Sequence, residues 1–268
     1  MILMEEKITA EAYKGETYAD KLLRTALDLA ENILKCGGTV HRVEETIQRV
    51  CKSKGASHVE VFSITSVIIA SIRMEDGEYS MQTRRIYGCS NNFTRLDILN
   101  SISRDVCAGK TDLDEAQILI KKAKNTKPYP MWLTLVAAMV VSGSFAVFFG
   151  GTAYDAIAAA VLALIIKFIS FFAPKTFNQL ATSLVLSTIA GFLAIVFTKL
   201  GFGDNYDKLM IGTIMLVIPG LSFGTSIRDL LCGDTLSGIL QLFQSLLLAA
   251  IIAFGYTIAL FFLGPWIN

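Results

Sequence analysis

The chain has 268 residues, of which 53% are hydrophobic and 18% are charged, and its formal net charge at neutral pH is +1. A net charge this close to zero does not favour a nucleic-acid partner. The five cysteines have no paired spacing, which argues against a disulfide scaffold or a zinc site, and we expect no metal and no cofactor.

The charge is distributed unevenly along the chain. Of the 47 charged residues, 37 lie in positions 1–130, and the last glutamate is Glu115. This asymmetry predicts a water-soluble domain over residues 1–127 and a lipid-embedded domain over residues 128–268. The first residues, "MILMEEKITAEAYKGE", carry acids where a signal peptide carries bases and an apolar core, so we expect the soluble domain to be retained in the cytosol.

The soluble domain is predicted to be α+β. Amphipathic helices are expected over 18–36 and 40–54, and two shorter helices near 94–108 and 112–123. The run "HVEVFSITSVIIASIRM" predicts one strand and "YSMQTRRIY" predicts another, with the turn at 75–78 between them.

One helix of this domain carries polar residues that could do chemistry. His41 and Glu44 share one side of the helix and could form an acid/base pair, although such a set is more often a solvated helix face. Glu45 and Arg49 have the spacing of an ion pair within a helix. The chain has no nucleophile-elbow, zinc-protease or phosphate-loop motif, so a hydrolase in this domain is a second hypothesis only.

The second domain contains apolar segments long enough to cross a bilayer as helices, since about 20 residues span its hydrocarbon core. There are five: 131–150, 154–172, 179–198, 209–227 and 238–264. The class predicted is therefore an α-helical polytopic membrane protein with five transmembrane helices and an N-terminal α+β cytosolic domain.

The orientation of these segments follows from the basic residues in their short flanks. Four lysines precede the first segment, Lys175 lies between the second and third, and Arg228 lies between the fourth and fifth. The other side carries Lys199 and Lys208 beside two aspartates. These flanks predict an N-terminus in the cytosol and a C-terminus outside the cytoplasmic (inner) membrane.

Polar residues inside the apolar segments are candidates for packing or for a pathway. Asp155 lies near the start of the second segment, where a carboxylate suits the helix dipole, and Lys167 lies near enough to its end for the side chain to reach the headgroups. The remaining candidates form two stripes. The third segment carries the small residues Ser183, Ser187 and Gly191, which are suited to close helix contact. The fifth segment carries the polar residues Gln241, Ser245 and Tyr256, which should face the bundle interior or a partner.

The fourth segment is interrupted. Pro219 removes a backbone donor and Gly220 weakens the helix further, and broken backbone at membrane depth is tolerated only against protein or a watery cavity. If the helix resumes, Ser222, Ser226 and Asp229 share one face and would line a path from the break to the cytosolic surface. Gly233 is placed as a helix C-cap, and Asp234 as the cap of the next helix.

Two blocks of this sequence resemble a known family. "IPGLSFGTSIRDLLCGDTLSG" is similar to the Pro-Gly…Arg-Asp-Leu-Leu-x-Gly-Asp…Ser-Gly signature of the threonine/serine exporters, and "CGGTVHRVEETIQRV" resembles their segment of small residues, Arg and Val-Glu-(Glu/Asp)-Thr. The second block makes His41, Arg42, Glu44 and Glu45 secondary site candidates. Thr39 departs from the pattern, because an acid is expected there.

The resemblance implies a secondary transporter that exports small amino acids (threonine or serine) or dicarboxylic acids such as succinate and is driven by an ion gradient. It also implies a separate small membrane subunit of the same family as partner, because fused members carry a second hydrophobic half. A homo-oligomer is also possible. In this hypothesis Arg228 attracts the substrate carboxylate, Asp229 carries a coupling proton, and Ser222 and Thr225 bind the substrate beside the break.

Three other classes remain open. A membrane-anchored enzyme would need a pocket in residues 1–127, and that domain alone should then turn over substrate. A channel would show flux that uncouplers do not change. A regulatory or structural subunit would leave export intact when positions 222, 226 and 229 are made apolar.

Overall fold

The computed structural model describes residues 15, 17–88, 90–126, 129–172 and 178–263. It is mostly helical, with one small three-stranded sheet near the N-terminus. The chain divides into two compact units. The first comprises Met1–Pro128 and Arg228–Ile239, and the second comprises Tyr129–Ile227 and Leu240–Asn268.

The first unit is an α+β structure. Its elements in chain order are α1 (Tyr18–Lys35), α2 (Val40–Ser53), β1 (Ala56–Ile64), β2 (Val67–Met74), β3 (Tyr79–Arg85), α3 (Phe93–Cys107) and α4 (Leu113–Lys124). The sheet is antiparallel in the order β1-β2-β3. Alternate residues of β2 are buried against the helices, while the side chains between them are half-buried or exposed.

The expectation of one long strand in "HVEVFSITSVIIASIRM" is wrong. The chain turns at Thr65 and Ser66, and Ile64 pairs directly with Val67 across the hairpin. A two-residue hairpin usually carries Gly or Asn at positions that need positive φ. Thr-Ser gives no such signal, and apolar residues continue on both sides of it. The predicted turn at 75–78 is confirmed, since the Met74 N–H bonds the Glu78 carbonyl at 2.8 Å.

The start of α1 is stabilised by a reciprocal cap. Asp20 donates its backbone N–H to the Thr17 hydroxyl, while the Asp20 carboxylate accepts the Thr17 backbone N–H. The same carboxylate accepts the Ser80 hydroxyl from β3 at 2.6 Å. The cap therefore joins the first helix to the sheet as well as satisfying the end of the helix.

The second unit is a bundle of apolar helices. They are α5 (Met131–Phe148), α6 (Ala153–Phe172), α7 (Gln179–Lys199), α8 (Tyr206–Val217), α9 (Gly220–Leu231, of which residues 220–227 belong here) and α10 (Thr235–Leu263, of which residues 240–263 belong here). Helices α5, α6, α7 and α10 are each long and apolar enough to cross a membrane. Helices α8 and α9 pass the same test only as a pair, bent by 53° at the break between them.

The small-residue stripe of α7 packs against α10, as its spacing predicts. Ser187 is fully buried, and a Cβ added at Gly191 would lie 2.6 Å from the Ala259 Cβ. A Cβ added at Gly255 of α10 would meet Ser187 Oγ and lie 2.9 Å from the Leu184 carbonyl of α7. The absence of side chains at these glycines lets the two helix backbones approach closely, which is the usual basis of helix association in lipid.

Candidate functional site

The helix breaks where Pro219 predicts. Helix α8 ends at Val217, Ile218 takes an extended ψ of 131°, and α9 begins at Gly220. The residue before a proline is driven out of the α-region by the proline ring, so Ile218 accounts for the change of direction. The two short helices on either side lie at 53° to one another.

Polar side chains on the far side of this break meet α10. The Thr225 hydroxyl lies within hydrogen-bonding distance of the Leu221 and Ser222 carbonyls, at 3.0 and 3.1 Å, and accepts the side-chain amide of Gln241 at 3.0 Å. Ser226 is fully buried and donates to the Phe223 carbonyl at 2.7 Å. Gln241 and Thr225, which lie in different predicted segments, are therefore direct partners.

Helix α10 also contacts the first half of the broken span. The Tyr256 hydroxyl lies 2.9 Å from the Thr213 hydroxyl, and both residues are buried. The polar stripe of α10 thus faces the interior of the bundle, which is one of the two environments expected for it; the other was a partner protein. Sequence reasoning missed Thr213, because one threonine in an apolar segment has no distinguishing spacing.

Asp155 is a structural anchor rather than an unpaired acid. It is fully buried, and it accepts the backbone N–H groups of Thr152, Asp204 and Asn205 and the side-chain amide of Asn205, at distances from 2.7 to 3.1 Å. These contacts join the start of α6 to the loop before α8. Lys167 of the same helix is exposed, which fits a side chain that reaches toward the headgroups.

In the first unit, the segment after α9 folds into a tight cap. Gly233 has a φ of +96°, a conformation that glycine adopts without a steric penalty. Its N–H bonds the Leu230 carbonyl at 3.2 Å, and the Asp234 N–H bonds the Asp229 carbonyl at 2.9 Å. This is the two-bond pattern of a Schellman cap, so the predicted C-cap at Gly233 is confirmed.

This capped turn lies at the start of α2. The Asp229 carboxylate lies near the backbone N–H of Val40, and Asp234 Oδ2 lies 3.8 Å from Nδ1 of His41. Asp229 is only 1% exposed. Asp229 Oδ1 and Asp234 Oδ2 are both buried and have no hydrogen-bond partner among the described residues. Arg228, adjacent to Asp229, is exposed.

The other candidates of α2 have separate partners. Glu44 Oε1 accepts both the N–H and the hydroxyl of Ser63, at 2.8 and 3.0 Å, so Glu44 holds the end of β1, and the acid close to His41 is Asp234. Arg42 donates to the Asn100 side chain at 3.3 Å. The predicted pair of Glu45 and Arg49 is present at 3.1 Å.

The two sequence blocks that carry the family resemblance thus meet in the first unit, through Val40 and His41 on one side and Asp229 and Asp234 on the other. A family model described as "Putative threonine/serine exporter" matches residues 24–263. The chain belongs to the threonine/serine exporter family. The match covers both units and every candidate residue named above.

A curated member of the threonine/serine exporter family gives the same result. The chain is 24% identical over 251 residues to a "Probable threonine/serine exporter" of Mycobacterium tuberculosis, a match that covers 91% of this chain and 47% of that protein. The chain therefore spans about half the length of this curated relative. No solved structure matches the chain.

Proposed function

We propose that this chain is one component of a secondary exporter that moves threonine, serine or similar small hydroxylated amino acids out of the cell. The name of the curated relative supports this substrate class. The observation that carries the proposal is the interrupted pair α8 and α9, with the Thr225 and Gln241 side chains joined beside the break.

The break supports a transport pathway for a physical reason. Interrupted helices free backbone carbonyls, which are tolerated at membrane depth only against protein or water. Many transporters bind substrate where a helix is interrupted. Here Ser222, Thr225 and Gln241 supply donors and acceptors that suit a hydroxylated substrate. We propose that these side chains hydrogen-bond the substrate in the pathway.

We infer that the chain crosses the cytoplasmic membrane five times, with α8 and α9 together forming the fourth span. The four lysines that precede α5 and the position of Arg228 support an N-terminus in the cytosol and a C-terminus outside. The family resemblance implies export driven by an ion gradient, and the absence of a phosphate-binding loop from the sequence agrees with that proposal.

We also propose a partner subunit. The curated relative is about twice as long as the part that this chain matches, and a separate membrane protein related to the other half would complete the pathway. Reconstitution of the chain with such a subunit should therefore give much faster flux than either protein alone.

Counterflow in proteoliposomes tests the proposal, with threonine, serine and succinate as substrates. We expect threonine and serine to show counterflow. In net-export assays, we expect their flux to collapse when the ion gradient is dissipated. Thr225→Val should reduce the rate, whereas Thr257→Val, which alters an exposed threonine bonded only to its own helix among the described contacts, should not. Flux that is insensitive to uncouplers would indicate a channel instead, and turnover by residues 1–127 alone would indicate an enzyme.

A further inference from the structure

Two buried carboxylate oxygens of the first unit have no hydrogen-bond donor among the described residues: Asp229 Oδ1 and Asp234 Oδ2. Buried polar atoms in folded proteins are nearly always hydrogen-bonded, because an unpaired one loses its hydration without compensation. Two such acceptors in one tight turn therefore indicate a group that supplies donors to both.

The turn holds these carboxylates in a fixed relation. The Asp234 N–H bonds the Asp229 carbonyl, and Gly233 takes the left-handed conformation that the cap requires. The Asp229 carboxylate also lies beside the start of α2. A pair of acceptors whose backbone is fixed by such a cap is pre-organised for a ligand.

The charge of this turn limits what it can bind. Asp229 and Asp234 lie close to one another and to His41, and the exposed Arg228 guanidinium also acts on Asp229, so the turn holds two acids beside one arginine and one histidine. A second carboxylate, such as that of a dicarboxylic acid, would be repelled by two aspartates. A multivalent metal ion is not favoured, because no cluster of three or more metal-ligating side chains occurs among the described residues.

We propose that Asp229 and Asp234 bind the α-ammonium group of the exported amino acid. This rests on the proposed function and narrows its substrates to amino acids, in place of the coupling proton that the sequence suggested for Asp229. A primary ammonium carries three N–H donors and one positive charge. It satisfies both unpaired oxygens through charge-assisted hydrogen bonds, which are the stronger kind.

Calorimetric binding to the purified full-length chain tests this assignment, with threonine, with its amine-free analogue 2,3-dihydroxybutanoate, and with succinate as probes. We expect threonine to bind at least about ten-fold more tightly than the analogue. Asp229→Asn and Asp234→Asn should abolish this difference by weakening threonine alone. Asp97→Asn, an exposed aspartate of α3, is the matched control and should bind as the native chain does.

A second measurement on the native chain does not depend on whether the variants fold. Threonine should slow amide hydrogen exchange in the turn at residues 229–234, read by mass spectrometry, and the amine-free analogue should not. Equal protection by both compounds would overturn the assignment.

The failure of this inference is distinct from failure of the proposed function. If threonine affinity and half-saturation in counterflow are unchanged in well-folded Asp229→Asn and Asp234→Asn, the ammonium site is wrong while export stands. Loss of proton uptake in those variants with unchanged threonine affinity would assign the unpaired oxygens to a shared proton and would also overturn it. If the native chain with its partner moves no amino acid, the proposed function itself fails.

Discussion

The side-chain amide of Gln241 donates to the hydroxyl of Thr225 across 3.0 Å, from a continuous helix to the second half of a broken one. Fifteen residues further along α10, Tyr256 makes the corresponding contact with Thr213 in the first half. Helix α10 thus holds both sides of the break at Pro219. These two hydrogen bonds therefore oppose a change in the angle between α8 and α9.

The contact between Gln241 and Thr225 should control the rate of transport more than the stability of the fold. We expect Gln241→Leu and Thr225→Val each to reduce the export rate, and the double variant to add little to either, because both remove the same bond. Hydrogen bonds between membrane helices contribute only about 0.6 kcal/mol on average, so the melting temperature should hardly move. Gln244→Leu, at an exposed position of α10, is the control, and fully additive effects would contradict the direct partnership.

Gly191 should tolerate no larger side chain. A Cβ there would meet the Ala259 Cβ at 2.6 Å, so Gly191→Ala must separate α7 from α10 at a cost of about 1–3 kcal/mol. The same change at Gly224, where an added Cβ meets nothing within 4 Å, should be neutral or stabilising. Thermal unfolding in detergent measures both variants, and Ala259→Gly should rescue Gly191→Ala if the contact is the cause.

Asp155→Asn should loosen the loop before α8. The carboxylate accepts four hydrogen bonds, and an amide in its place turns one acceptor into a donor that faces other donors. We expect a loss of about 1–3 kcal/mol and faster hydrogen exchange at Asp204 and Asn205. Asp207→Asn, which changes an acid of the same region whose ion pair is with the adjacent Lys208, should leave this exchange unchanged. Unaltered protection in Asp155→Asn would show that the loop is held by other contacts.

The cap of α1 should contribute a pH-dependent stability. The Ser80 hydroxyl, assisted by the hydrogen bonds from Thr17, lowers the pKa of Asp20 below its ordinary value of 3.8. A depressed folded pKa stabilises the fold above the unfolded value, and the effect is lost as pH falls through the folded value. The melting temperature of the native chain should exceed that of Asp20→Asn near neutral pH, and the difference should shrink below pH 3.8. A difference that is constant across this range would exclude the ionised carboxylate as its source.

Local chemistry made much of this architecture predictable. The apolar helices, the break at Pro219 and the C-cap at Gly233 depend on the residues at those positions, because hydropathy and backbone freedom act within a few turns. The same holds for the stripe that includes Gly191, whose spacing alone indicates a close helix contact. The hairpin at Thr65 and Ser66 escaped prediction because its residues lack the usual turn chemistry.

The sequence by itself determined which segments are helical, where they break and which of their faces are polar, since these follow from short-range periodicity and steric limits. Only the tertiary structure decided which polar groups meet. Asp155 is satisfied by a loop about 50 residues away, and Asp229 reaches Val40 across most of the chain. Such pairings depend on how distant segments pack together, which no local pattern of residues encodes.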